Sequence, residues 1–405
     1  MARGFIPFDI DQHFLLPPDL REWLPEGHLA SFIIEVVAEL DLSELMQAYA
    51  KNTERGRAGY NPRVLRLCQK AGLVKLGHVC IDGTKVKANA SKHKAMSYER
   101  MCETEKRLQA EVDGLLAQAA ATDAQEDAQY GKGKRGDELP EELSRRESRL
   151  VKIREAKAAL EQEAKEKAQR QADDAKAKNK ARELKEQETG KKAGGRPAQV
   201  PEPAQAKPEP KSQRNFTDPD SRIMKDGASK AFEQRYNAQA AVDSTAQIIV
   251  AAAVTQQAND KQQLVPMVEK TIENTGQAPE AASADAGYFS AAALEDRSLT
   301  GINLLVPPER QKHSGPGDQG DPRSQADSAA GSMREKLQVP SNRELYGQRK
   351  AVVEPVFGQT KEARGIRRFL LRGLDKASAE WSIICLTHNL LKLFRLQGTA
   401  AAALG

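Results

Sequence analysis

Cysteine is scarce in this sequence. Its four residues, Cys68, Cys80, Cys102 and Cys385, are scattered over 405 positions with no Cys-x-x-Cys pair. That argues against a zinc cluster or a disulfide framework and implies a reducing compartment. Aromatic residues make up only 5% and apolar residues 39%, so an ordinary core is diluted by a large solvated segment. No apolar run approaches the length of a membrane span; Ile248 to Val254 is a buried strand at most. The start, Met1-Ala-Arg-Gly-Phe-Ile-Pro-Phe-Asp9, reaches an acid too early for a signal peptide. The expectation is a soluble cytoplasmic protein of two or three domains. A strong charge of one sign is also missing, with 62 basic against 57 acidic residues. That balance permits a polyanionic partner without requiring one. Between Lys361 and Arg395, however, Arg364, Arg367, Arg368, Arg372, Lys376 and Lys392 meet only Glu362, Asp375 and Glu380. The stretch reads as a footprint for phosphates or, equally, as a solvated helix face.

Three compositional regimes follow one another. Residues 1–60 read as a small helical region, with Leu29, Phe32, Ile33, Val36, Val37 and Leu40 at helical spacing. Residues 98–190 are rich in Ala, Glu, Lys, Gln and Arg. Leu108, Val112 and Leu115 share one helical face, and Leu143, Leu150, Ile153 and Leu160 form a heptad-like seam. This predicts a charged helical hairpin turning at 131–136, followed by a flexible or extended Pro/Gly-rich linker over 191–215. The hairpin reads as a spacer or as a surface for DNA or self-association. Residues 61–97 and 216–396 read as one interrupted α/β domain. Its strand-like runs are Leu76–Ile81, a hairpin of Tyr236–Val242 with Gln247–Val254, and Ile302–Val306. Helices are predicted after Asp260, with Leu264, Met267, Val268 and Ile272 buried, and over 343–361 and 377–396.

Two acids, Asp82 and Asp285, directly follow apolar strand-like runs, and Glu354 lies on the predicted late helix. Each has a plain alternative: an Asp before a small residue is a common turn residue, and Glu354 before Pro355 suits a helix-terminal charge. Converging, three such oxygen donors would hold two Mg²⁺ ions, Mn²⁺ substituting, about 3.5–4 Å apart for displacement at phosphorus.

Long stretches of text resemble the DDE transposases of bacterial insertion sequences. They are Asp82-Gly-Thr-Lys-Val-Lys-Ala-Asn-Ala-Ser-Lys-His-Lys-Ala-Met-Ser97, Asp218-Pro-Asp-Ser-Arg-Ile-Met224, Tyr236-Asn-Ala-Gln-Ala-Ala-Val-Asp243, Asp285-Ala-Gly-Tyr-Phe-Ser290, Val353-Glu-Pro-Val-Phe-Gly358 and Leu386-Thr-His-Asn-Leu-Leu-Lys392. The opening Gln12-His-Phe-Leu-Leu-Pro-Pro18 is also similar to that family. The resemblance implies a ribonuclease H-like mixed sheet flanked by helices and interrupted by a coiled-coil insertion. It also implies metal-dependent cleavage and strand transfer of double-stranded DNA, at element ends and target, by a self-associating protein at the nucleoid. Asp82, Asp285 and Glu354 stand where the family has its metal-binding carboxylates.

The family's signature is Tyr, two residues, Arg, three residues, Glu, six residues, Lys. Tyr346 and Arg349 fit its start, and Glu354 with Lys361 fits its end. Arg349 nevertheless stands five positions before Glu354, with Lys350 in the expected place, so both are candidates for phosphate contact. Lys85, Lys87, Tyr346, Lys361, Arg367 and Arg368 complete the candidate DNA-binding set; solvated side chains are the plain alternative. Gly56-Arg-Ala-Gly-Tyr-Asn-Pro62 is similar to a segment that opens a further helical stretch in the family, yet Arg63 here starts text from that stretch's far end. An internal deletion in the N-terminal DNA-binding part is inferred. It leaves two rival readings: a non-catalytic relative that only binds DNA, and a coiled-coil interaction scaffold. His388 reads as a core-edge histidine, His78 as sheet packing, and Asp218, Asp220 and Asp260 as spare acids, turn or cap residues unless the fold brings one of them to the site.

Overall fold

The computed structural model describes residues 28, 29, 32, 62–130, 141–189, 196–226, 230–309 and 329–403. Leu29 and Phe32 are helical. The rest of the expected N-terminal helix and the turn at 131–136 lie outside the described residues. In chain order the elements are α1 (Pro62–Lys70), β1 (His78–Lys87), β2 (Ala95–Ser97), α2 (Tyr98–Tyr130), α3 (Glu141–Thr189), β3 (Gln213–Asn215), β4 (Arg222–Lys225), β5 (Phe232–Asp243), β6 (Ile249–Thr255) and α4 (Leu264–Thr275). They continue with β7 (Ala281–Ser283), α5 (Ala291–Leu294), β8 (Asn303–Leu305), α6 (Ala329–Gln338), α7 (Pro340–Gly358), a π-helical turn at Gln359–Ala363 and α8 (Leu374–Ala403). The chain divides into two compact units, residues 1–89 with 224–405 and residues 90–223.

The first unit is a mixed sheet flanked by helices. Its order is β4-β5-β1-β7-β8, with β6 also on β5. β5 runs antiparallel to β1 and β6, whereas β1, β7 and β8 are mutually parallel. β5 is buried from Gln234 to Asp243, and its alanines at 238, 240 and 241 leave room for close packing. The expected hairpin forms between β5 and β6, and Asp243 fixes its turn: Oδ1 accepts from Thr245 N at 2.9 Å and Oδ2 from Leu76 N at 2.8 Å. On α4 the buried face is Leu264, Met267, Val268 and Thr271. Thr271 replaces the expected Ile272 because its hydroxyl is satisfied within the helix, donating to Met267 O at 2.8 Å.

The last two long helices are tied to β6 by side chains that stand in for missing backbone partners. Pro355 interrupts α7 and cannot donate to the carbonyl of Ala351. The Gln247 amide donates to that carbonyl instead, at 3.0 Å. From α8, Asn389 both accepts from Ile249 N and donates to Ile249 O, each at 2.8 Å, so it caps part of an edge strand.

His388 is 1% exposed, and its Nε2 donates to Gln247 O at 2.9 Å. Burial pushes its pKa down to about 4; the Gln247 bond opposes this, and the nearby cations Lys392, Arg364 and Arg395 add to it. The native state therefore refuses a proton that the unfolded chain takes up from pH 6.5 downward. This contribution to stability is complete above pH 6.5 and lost as pH falls towards 4, by on the order of 3 kcal/mol. His388→Gln is expected to flatten that acid slope in denaturant-unfolding midpoints compared at pH 7 and pH 4.5.

In the second unit α2 and α3 pack through Met101, Leu108, Leu150, Ile153, Ala156 and Leu160, all buried. Glu105 bridges them by pairing with Arg154 at 3.0 Å and Lys157 at 2.9 Å. The segment 196–211 is extended rather than helical, apart from a short turn at Pro203–Gln205. It is held to α3 where Asn179 exchanges two hydrogen bonds with the Ala198 backbone. β3 then pairs antiparallel with β2.

Candidate active site

The parallel pairing of β1 with β7 places the two acids. The register runs His78↔Ala281, Val79↔Ala282 and Cys80↔Ser283, after which β7 stops. Asp82 and Asp285 each stand two residues beyond that last pair. Asp285 lies just past the carboxyl end of β7, whereas β1 does not stop at Ile81 but runs on to Lys87 against β5, so Asp82 sits mid-strand, opposite Ala240 and beyond the part of β1 that β7 covers. Asp285 caps a 3₁₀ turn at Ala286–Tyr288, its Oδ1 accepting from Gly287 N at 2.8 Å. Asp82 Oδ1 accepts from Gly83 N at 2.8 Å.

Arg349 of α7 faces Asp82, with Nη1 3.2 Å from Oδ2. Its side chain is 9% exposed and that of Asp82 23%. Burial pushes Asp82 up to about 6; the Arg349 charge opposes this, and the Asp285 charge reinforces it. Burial works against the Arg349 charge, but Asp82, Tyr346 and Asp285 together hold its pKa above the usual value. Burial likewise raises Tyr346, with Arg349 opposing. Arg349 thus stands as counter-ion to a carboxylate whose neighbour is another carboxylate.

Four further residues belong here that sequence reasoning missed. Asn237 and Gln239, on one face of β5, are 1% and 0% exposed. Both donate side-chain amides to Asp260 Oδ1, each at 2.7 Å. The Gln239 amide oxygen accepts from the Tyr288 hydroxyl. Burial pushes the Tyr288 phenol well up, and the charges of Asp260, Asp82 and Asp285 add to it. The available signal was Tyr236-Asn-Ala-Gln-Ala240, because two amides on an otherwise apolar strand must find buried partners.

Gly83 sits opposite Gln239 in the β1–β5 register. A Cβ there would lie 2.4 Å from Gln239 Nε2 and 2.9 Å from Asp260 Oδ1. Gly83→Ala is expected to displace the Gln239 amide and cost about 1–3 kcal/mol, as overpacking does. Equilibrium denaturation would measure this, and an unchanged midpoint would contradict the packing described.

Glu354 lies on an exposed face of α7. It is five positions past Arg349 and so about 140° round the helix from it. The charged groups that act on Asp82 are Arg349 and Asp285. Among the described residues, no three His, Cys, Asp or Glu side chains are already gathered for a metal. Asp82 and Asp285 by themselves suit Mg²⁺, which is commonly held through one or two carboxylates together with substrate phosphates. The donor set therefore fits a divalent ion.

The basic candidates divide by environment. Lys361 lies in the π-helical turn, and its Nζ donates to Lys85 O at 3.1 Å. Burial pushes that ammonium down. Lys87 pairs with Glu233 at 2.9 Å, and Arg367 pairs with Glu362. Lys85 Nζ reaches Lys225 O at 3.4 Å. Lys350 and Arg368 are exposed. The backbone of Lys87 bonds to Arg367 O at 3.1 Å and Phe369 N at 2.9 Å, which fastens the arginine segment to the end of β1. Farther along the basic stretch, Arg364 donates to Ile384 O and Thr387 Oγ1, and Lys392 to Gln247 Oε1. Those two cations serve the fold.

Residues 198–390 match the family model described as the transposase DDE domain. Comparisons with curated proteins and with solved structures gave no match. The matched stretch contains Asp285 and Glu354, and Asp82 precedes it on the strand that pairs with β5 and β7 inside it. The mixed sheet is consistent with the ribonuclease H-like domain of such enzymes. This match supports a DDE transposase of insertion-sequence type.

Proposed function

We propose that the chain catalyses metal-dependent cleavage and strand transfer of double-stranded DNA at the ends of an insertion sequence. The observation that carries this reading is the pair Asp82 and Asp285 at equivalent positions beyond the last β1–β7 pair, with Arg349 beside them. A divalent ion, Mg²⁺ or Mn²⁺, would be held by Asp82 and Asp285, with Glu354 as the third ligand, and would supply charge stabilisation for an in-line displacement at phosphorus. Asp82 within β1 and Asp285 at the cap of the turn after β7 are both held by ordered backbone, which supplies rigid placement. Arg349 balances the acids and turns to the DNA phosphate when they are otherwise neutralised. Lys85, Lys350, Lys361, Arg367 and Arg368 track the backbone, with Lys87 and Tyr346 at the margins. The hairpin of residues 98–190 is a coiled-coil insertion serving self-association on DNA, and the protein acts at the cytoplasmic nucleoid.

The test is nicking of supercoiled plasmid carrying the element's ends, with Mg²⁺, with Mn²⁺ and with chelator. Cleavage that requires the ion is the expected result. DNA retention without cleavage under any divalent ion would favour a non-catalytic relative.

A further inference from the structure

We infer that Asp260 is a positioning residue of this site, acting on the Asp285 turn through Gln239 and Tyr288. The inference rests on the transposase reading, and it starts from the contacts of one carboxylate. Oδ1 of Asp260 accepts from Asn237 Nδ2 and Gln239 Nε2, each at 2.7 Å. An amide that spends its nitrogen on a carboxylate must present its oxygen the other way. The Gln239 oxygen duly receives the Tyr288 hydroxyl. Tyr288 closes the 3₁₀ turn that begins at Asp285, its backbone N–H donating to Asp285 O at 3.1 Å. Asp260 thereby selects one of the two orientations of a buried amide, and that amide anchors the turn from which Asp285 projects.

The relay also touches the other acid's strand. Asp260 Oδ1 and Gln239 Nε2 occupy the space over Gly83, next to Asp82. On the far side, Asp260 Oδ2 and Asp285 Oδ1 lie 3.7 Å and 2.9 Å from where a Cβ of Gly287 would be. Glycine at both positions lets the relay pass between the two acids at backbone range. Asp260 also accepts the N–H of Gln263 at 2.9 Å through its carbonyl, a turn leading into α4. That local role uses the backbone and leaves the carboxylate for the relay.

The experiment compares Asp260→Ala, Asp260→Asn and Tyr288→Phe in the full chain by two readouts. One is hydrogen exchange at the Gly287 and Tyr288 amides, and the other is kcat and KM for ion-dependent nicking. Asp260→Ala and Tyr288→Phe are expected to speed exchange about tenfold, as loss of a bond worth ~1.4 kcal/mol would. They are also expected to lower kcat by about 10–100-fold with KM little changed, as loss of a supporting partner does. Asp260→Asn keeps an acceptor oxygen and is expected to restore both. Wild-type exchange and kcat in Asp260→Ala would overturn the inference, as would an Asp260→Asn variant no better than Asp260→Ala. Should Asp260→Ala fail to fold, Tyr288→Phe decides alone, since it removes one hydroxyl and nothing else. A wild-type chain that never nicks DNA counts against the enzymatic reading, while the exchange rates still judge the relay.

Discussion

Asp82→Asn is expected to abolish ion-dependent nicking, with a loss on the order of a thousandfold or more. Asparagine keeps the shape and the hydrogen bond from Gly83 N but removes the negative charge that attracts a divalent ion. Charge stabilisation by a catalytic ion is worth several kcal/mol, and each 1.36 kcal/mol is a factor of ten in rate. The substitution also frees Arg349 from its ion pair, so DNA retention is expected to hold or rise while cleavage disappears. Asp285→Asn should behave alike, because it stands at the equivalent position past β7. Glu354→Gln is the sharper comparison. Its side chain is exposed on α7, and a loss as deep as that of Asp82→Asn would establish it as the third ligand. Wild-type nicking in Glu354→Gln would assign the ion to the two aspartates alone. Full activity in Asp82→Asn would remove the basis of the proposed function.

Arg349→Met is expected to destabilise the first unit by about 3–5 kcal/mol, the usual consequence of removing one partner from a buried pair. Arg349 is 9% exposed, so water cannot easily replace it. Asp82 would then be left buried beside Asp285, and its pKa would rise beyond about 6. The sign follows from linkage. A carboxyl whose folded pKa exceeds its unfolded pKa binds more protons when native, so the loss is greatest at neutral pH and shrinks as pH falls below the folded value. Denaturant unfolding at pH 7.5 and pH 5 reads this directly, and Mg²⁺ should restore part of the lost stability at the higher pH. The double variant Arg349→Met with Asp82→Asn is expected to be more stable than Arg349→Met alone, since the stranded charge is gone. If the double variant is the weaker of the two, the ion pair is not what holds α7 to β1.

Much of this was legible along the chain. The hairpin of β5 and β6 follows from two apolar runs around Asp243-Ser244-Thr245, because side-chain alternation and turn chemistry are local. Asp82 and Asp285 stand out for the same reason, as acids after apolar runs; Asp285 does follow β7, whereas β1 carries on through Asp82 to Lys87. The place of α7 was legible, but its internal accounting was not. Nothing near Pro355 in sequence announces that Gln247 will satisfy the carbonyl of Ala351. The basic stretch from Lys361 to Arg395 illustrates the limit more plainly. Its charge was visible, yet Arg364 and Lys392 spend theirs on Ile384, Thr387 and Gln247 inside the fold. Arg368, by contrast, is exposed.

Asp260 marks the boundary between the two kinds of knowledge. On sequence alone it is an acid before a helix, and a cap is the economical reading. Whether an acid serves a turn or a site depends on which strands lie beside it, and strand neighbours are set by pairing between residues far apart in the chain. The sequence by itself determined the start of β1, the hairpin of β5 and β6, β8 and the long helices α4, α7 and α8, since those depend on periodicity and on adjacent residues; the short strands β2, β3, β4 and β7 and the run of β1 on past Asp82 to Lys87 came only with pairing. Only the tertiary structure decided that Arg349 would face Asp82, that Glu354 would lie on an exposed face of α7, and that Asn237 and Gln239 would hold Asp260 over Gly83 and near Gly287. Buried polar groups must be paired, and the partner is whichever group the packed sheet brings within about 3 Å.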